Sequence, residues 1–124
     1  MKVADSSVWI EHFSAGSRAP IFLPVIEDRK NLIVPSIVLY EVHKWISVFQ
    51  SADDATTAAR IMMSNRIVQL DPSLALEASR VSQKHKLAMA DAIIYATTLA
   101  NAAELWTTDS HFKGLPSVRY FEKK

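Results

Sequence analysis

Four carboxylates in the 124-residue chain are notable for where they fall: Asp5, Glu41, Asp91 and Asp109. Asp5 closes a short apolar run and meets Ser6-Ser7, and Asp109 directly follows Leu105-Trp106-Thr107-Thr108. Glu41 lies in the second turn of an apolar helical pattern, and Asp91 opens another. Carboxylates within ~4–6 Å raise one another's pKa, so a set drawn together must be neutralised or hydrogen-bonded. A hard divalent cation meets that need, and a donor set of oxygens without His or Cys suits Mg²⁺ or Mn²⁺ rather than zinc. Such a cation also acidifies water and offsets charge on a phosphoryl oxygen, the chemistry of phosphodiester hydrolysis. Each acid alone has a plainer reading. Asp5 or Asp91 would serve as a helix cap, Asp109 as a turn residue and Glu41 as a solvated helix residue.

No residue stands out as a separate general base. His12, His43, His85 and His111 are scattered, and His111, the nearest to an acid, is expected to be solvated or to cap a helix. Lys84, His85 and Lys86 precede Asp91, and Lys113 follows Asp109. Basic residues at the mouth of an acidic site hold flanking phosphates. For Lys84 and Lys86 a solvated helix end, which favours positive charge, is an equal reading.

The elements that must position these residues follow from apolar spacing. Lys2 to Asp5 predicts a strand, and Ser6-Ser7 starts a helix through Val8, Trp9, Ile10 and Phe13. Ser14 to Pro20 reads as a loop and Ile21 to Arg29 as a short helix. Asn31 to Val34 is a buried strand cut by Pro35, and Ser36 caps a helix to about Gln50. Val38, Val42, Trp45, Ile46 and Phe49 form the apolar stripe of that helix. A helix over Asp53 to Asn65 and a strand over Ile67 to Leu70 follow. Asp71-Pro72 starts a helix with Leu74, Ala78, Val81 and His85 on its inner face. Ala90 to Asn101 is apolar nearly all round and predicts a helix buried on most sides. Leu105 to Thr107 and Val118 to Phe121 supply a fourth and a fifth strand.

Alternating strands and helices define an α/β protein, a parallel sheet covered on both faces by right-handed crossovers. Ligands of such sheets bind beyond the carboxyl ends of the strands, where the strand order reverses. All four acids fall at that edge. A doubly wound order sets the first and fourth strands side by side and brings Asp5 to Asp109.

Bulk properties narrow the classes. The residues are 49% apolar and 22% charged, enough to bury one core and too apolar for disorder. The length fits a single domain, 1–124. A net charge of +1 gives no electrostatic case for nucleic acid, so that case must come from a site. Cysteine is absent, which removes disulfides and thiolate chemistry and fits a reducing cytosol. No run approaches the ~18 apolar residues of a membrane span, and the amino terminus lacks a signal-peptide pattern. A cytoplasmic protein without membrane partners is expected, and Lys123-Lys124 reads as a solvated tail. Ile37, Tyr40, Val48, Ile21, Phe22 and Val25 exceed what a small core uses, which predicts an oligomer or a partner groove.

The chain resembles the PIN-domain family, and within it the VapC-type toxins of type II toxin–antitoxin pairs. The resemblance rests on Val3-Ala4-Asp5-Ser6-Ser7, Pro35 to Val42 around Glu41, Ala90 to Ala96 around Asp91, and Leu105 to Phe112 around Asp109. It covers essentially the whole chain, and these motifs in this order and at these separations are specific together. It implies a single PIN domain and a Mg²⁺-dependent endoribonuclease, with Asp5, Glu41, Asp91 and Asp109 binding Mg²⁺ or Mn²⁺. Ser6 and Thr108 match the supporting hydroxyl positions. Some members carry a further acid just after the third, where this chain has Ile94 and Tyr95, so the resemblance does not extend to a second tightly held cation and one or two stay open. The resemblance also implies a homodimer, a cognate antitoxin and contact with promoter DNA only through that antitoxin. The rival reading is a non-catalytic PIN-like module for protein association. A phosphatase of the haloacid-dehalogenase type needs a second acid where Ser7 stands, and a receiver domain fits this layout poorly.

Overall fold

The computed structural model describes residues 1–123. The tail reading at Lys124 therefore lies outside the described residues. Five strands form one parallel sheet in the order β3-β2-β1-β4-β5. They are β1 (Lys2–Ala4), β2 (Leu32–Pro35), β3 (Arg66–Val68), β4 (Glu104–Thr107) and β5 (Val118–Tyr120). Val3 pairs with Ile33 on one side and with Leu105 on the other, so β1 is central.

Successive side chains of a strand face opposite sides of its sheet. Val3 and Ala4 are both fully buried, as are Ile33 and Val34, so both faces are covered. The cover comes from α1 (Ser6–Phe13), α2 (Ala19–Glu27), α3 (Ser36–Phe49), α4 (Ala52–Met63), α5 (Pro72–His85) and α6 (Met89–Ala100). α3 packs on α4, α1 on α2 and α3, and α5 on α6. A 3₁₀ turn, Ser110–Phe112, follows β4. Among the described residues no helix is long and apolar enough to cross a membrane.

The capping chemistry of α4 and α5 is local. Ser51 accepts from the Asp54 amide at 3.0 Å and Asp71 from the Leu74 amide at 2.8 Å. α6 has no side-chain cap; Ala88 precedes it, and Asp91 is its third residue rather than its cap. Its polar residues Thr97 and Thr98 are fully buried, and each hydroxyl donates one turn back, to the Ile93 and Ile94 carbonyls at 2.7 and 2.9 Å.

Four sequence expectations need correction. α2 starts at Ala19, two residues early, because Pro20 in a first turn has no amide to lose. Phe22 and Val25 are core residues rather than surplus, Phe22 meeting the distant Phe121 edge-on at 5.1 Å. Phe49, placed on the inner stripe of α3, ends that helix and stays 67% exposed. Tyr40 and Val48 are exposed as expected, at 58% and 66%, whereas Ile37 packs partly against the core.

Candidate active site

The strand order reverses between β1 and β4, and the acids gather there. The Asp5 amide donates to the Trp106 carbonyl at 2.9 Å, so the ends of β1 and β4 are stitched together where the site begins. Asp5 is 3% exposed and does not cap α1 with its side chain. Its Oδ2 accepts from the Thr107 hydroxyl at 2.7 Å and from the Ser7 hydroxyl at 2.9 Å. Both hydroxyls act as relays. Thr107 Oγ1 accepts from the Asp109 amide at 2.9 Å, and Ser7 Oγ accepts from the Thr108 amide at 3.1 Å. The turn after β4 is thereby held on Asp5 through two side chains.

Ser6 bridges to the second acid. Its hydroxyl donates to Glu41 Oε1 at 3.0 Å, with Asp5 Oδ1 at 3.4 Å. Glu41 reaches in from α3 and Asp91 from the first turn of α6, where the helix dipole favours negative charge. Asp109 Oδ1 accepts from the His111 amide at 2.9 Å, so the turn role foreseen for this residue is also present. The His111 Nδ1 lies 3.1 Å from Asp109 and 3.4 Å from Asp91. His111 was expected to be solvated or to cap a helix; its side chain is 71% exposed, yet it belongs to this cluster. Asp91, Asp109 and His111 each offer a ligand atom within 4.8 Å of the others.

Electrostatics bind the four acids into one group. Burial raises the Glu41 carboxyl, the Ser6 hydrogen bond lowers it, and the charges of Asp5, Asp91 and Asp109 raise it further. Asp91 is pushed up to about 6, first by burial and then by Asp109 and Asp5, against the pull of His111. Asp5 is raised by burial, opposed by the Thr107 and Ser7 hydroxyls. Burial is the first cause of each shift and neighbouring negative charge adds to it, the condition a divalent cation relieves.

A cleft of about 620 Å³ opens on the Asp5–Asp109 side of the cluster, with Ser6, Ser7, Thr108, Trp45 and Arg18 in its wall. Lys84, Lys86 and Lys113 do not line it; its basic residues are Arg18 and Lys123. Lys84 lies in the last turn of α5 and Lys86 directly follows it, where positive charge meets the last carbonyls, and Lys113 Nζ lies 5.6 Å over the Tyr120 ring. Thr108 lines the cleft and contributes its amide, while the hydroxyls on Asp5 are those of Ser7 and Thr107 on Oδ2 and of Ser6 on Oδ1.

The PIN domain profile matches residues 2–117, and the chain belongs to the PIN domain family. The fold is similar to that of a toxin–antitoxin complex from Klebsiella pneumoniae, with TM-score 0.83 and 23% identity over 99% of this chain and 100% of that one. It is also similar to VapC20 of Mycobacterium tuberculosis, a sarcin–ricin loop cleaving toxin, with TM-score 0.80 and 18% identity over 94% and 95% of the two chains. VapBC2 of Rickettsia felis, bound to a DNA fragment from its promoter, gives TM-score 0.73 and 16% identity over 98% and 97%. No curated protein matches the chain in sequence.

Proposed function

We propose that this chain is a divalent-metal-dependent endoribonuclease and the toxin of a type II toxin–antitoxin pair. One observation carries the reading: four acids from four separate elements share one charged centre, three of them raised by burial and by one another. A merely structural cluster gains nothing from such repulsion, which weighs against a non-catalytic association module. Asp5, Glu41, Asp91 and Asp109 would hold Mg²⁺ or Mn²⁺, for which carboxylate oxygens are the matching donors. When bound, such an ion acidifies water and offsets charge on a phosphoryl oxygen.

The chain's own residues set the geometry for that chemistry. Ser7 and Thr107 fix the orientation of Asp5, and Ser6 ties Glu41 to the same centre. His111 holds Asp91 and Asp109 near each other while its ring stays open to solvent. RNA as substrate is supported by the likeness to the sarcin–ricin loop cleaving toxin. A cognate antitoxin, promoter contact only through it, and a homodimer are supported by the fold shared with toxin–antitoxin complexes and by the exposed apolar residues of α3. We place the protein in the cytoplasm on the same grounds.

Purified protein should cleave RNA with Mg²⁺ or Mn²⁺ and lose the activity in EDTA. Cleavage undiminished by EDTA, once contaminating nucleases are excluded, overturns the metal-dependent mechanism. Absence of cleavage under every metal tested leaves the association module standing instead.

A further inference from the structure

The cleft that reaches the acids contains a cation, Arg18, that is paired with no carboxylate among the described residues. Arg18 follows Ser14 to Ser17, the loop between α1 and α2, and its side chain lines the same cleft as Asp5 and Asp109. The loop is shaped without the guanidinium. Glu11 Oε1 accepts from the Arg18 backbone amide at 2.9 Å, and the Glu11 carbonyl accepts from the Gly16 amide at 3.0 Å. A Cβ on Gly16 would displace the Glu11 carboxyl group, so glycine there leaves that carboxylate seated on the Arg18 amide.

With Glu11 turned onto the backbone, the Arg18 side chain is left over. It makes no salt bridge among the described residues, and its Nε is buried without a hydrogen-bond partner. A buried donor on a charged group costs stability until an acceptor reaches it. The guanidinium fork matches phosphate oxygens, and an acidic centre that admits a polyanion needs fixed positive charge beside it.

We infer that Arg18 holds a phosphate of the RNA strand next to the one attacked, and so positions the substrate in the acidic cleft. The inference rests on the nuclease reading above. It assigns Arg18 to the phosphate backbone, so the contact carries no base preference. Lys123, also in the cleft, would add charge at its outer end.

The test compares wild type, Arg18→Gln and Arg18→Lys by initial-rate kinetics on a labelled single-stranded RNA with Mg²⁺. Binding of the same RNA is followed by fluorescence anisotropy across a salt series, in an Asp91→Asn background that prevents cleavage. Arg18→Gln should raise KM about tenfold with kcat little changed, the loss of one charge-assisted contact. The slope of log affinity against log salt should fall by about 0.7, the value of one phosphate on a single strand. Arg18→Lys should keep the slope and recover part of the affinity, because it keeps the charge and loses the fork. It also serves as the readout if Arg18→Gln does not fold. Wild-type KM and slope in both variants overturn the inference and leave the nuclease reading intact. A wild type that neither binds nor cleaves RNA overturns both. If Arg18→Gln binds RNA normally and loses only a protein partner, the guanidinium serves that partner and the inference also falls.

Discussion

Two regions of the molecule bury hydroxyl groups, and they do so to opposite ends. In α6, Thr97 and Thr98 return their hydroxyls to carbonyls one turn away in the same helix. That solution is local and electrically quiet, and it lets polar residues sit in a core. At the sheet edge, Ser7 and Thr107 point instead at Asp5, the latter from 102 residues away. Those hydrogen bonds favour the charged form of a carboxylate that burial and Asp109 disfavour. The lesson lies in the remainder: satisfied groups mark structure, while charge left in excess marks a place built for something else to bind.

The widest separation between the two regions should come from Asp91→Asn. Removing that carboxylate should lower RNA cleavage by a factor of at least ~10³, since metal-activated water supplies much of the rate. Without metal the variant should melt no lower than wild type, because one of several like charges is gone. The same residue sets a pH signature. The Asp91 carboxyl sits at about 6 in the fold against 3.8 in the open chain. Between those values the folded state keeps a proton that the unfolded chain has lost, so metal-free stability should fall as pH rises through that window. Thermal melts in EDTA from pH 4 to 7 check the sign, with a flatter profile in Asp91→Asn. Equal slopes in the two proteins would separate Asp91 from the charged centre.

An intermediate effect is expected from Thr107→Val, which keeps shape and removes one relay. Asp5 loses one of its two hydroxyl donors to Oδ2 and the Asp109 amide loses its acceptor. Metal affinity measured by Mn²⁺ titration should drop about 10–100-fold, the usual range for a group that orients a ligand. The stranded amide should also cost about 1–3 kcal/mol in denaturant unfolding. Wild-type Mn²⁺ affinity in this variant would show that Thr107 supports the fold alone.

The smallest effect belongs to the quiet region. Thr97→Val should change unfolding free energy by about 1 kcal/mol at most, and cleavage kinetics not at all. Any loss of kcat there would break the contrast between the two regions.

The sheet and the acids were legible because both follow from short-range signals. Apolar runs end in Asp5 and Asp109, and the helices carrying Glu41 and Asp91 announce themselves by spacing. The relays were not seen, although β4 held a clue. Leu105 and Thr107 share one face of that strand by its two-residue period, so a threonine stood at an inward position. Thr108, one residue later, is already in the turn. Phe22 looked surplus because its partner, Phe121, lies at the other end of the chain. Arg18 and His111 sit in loop segments whose path depends on Glu11 and Asp109 side chains, which no local pattern encodes.

The central position of β1 has a consequence for how such a molecule comes into being. Its first strand waits between a neighbour made early, β2, and one made last but one, β4. Contacts across so much sequence form late, because a long loop must close before they reward it. On a ribosome Asp5 and Glu41 are therefore made well before Thr107 and Asp109 arrive to complete the centre. For the nuclease proposed above, the order of synthesis keeps the centre incomplete until β4 and the turn after it have been made.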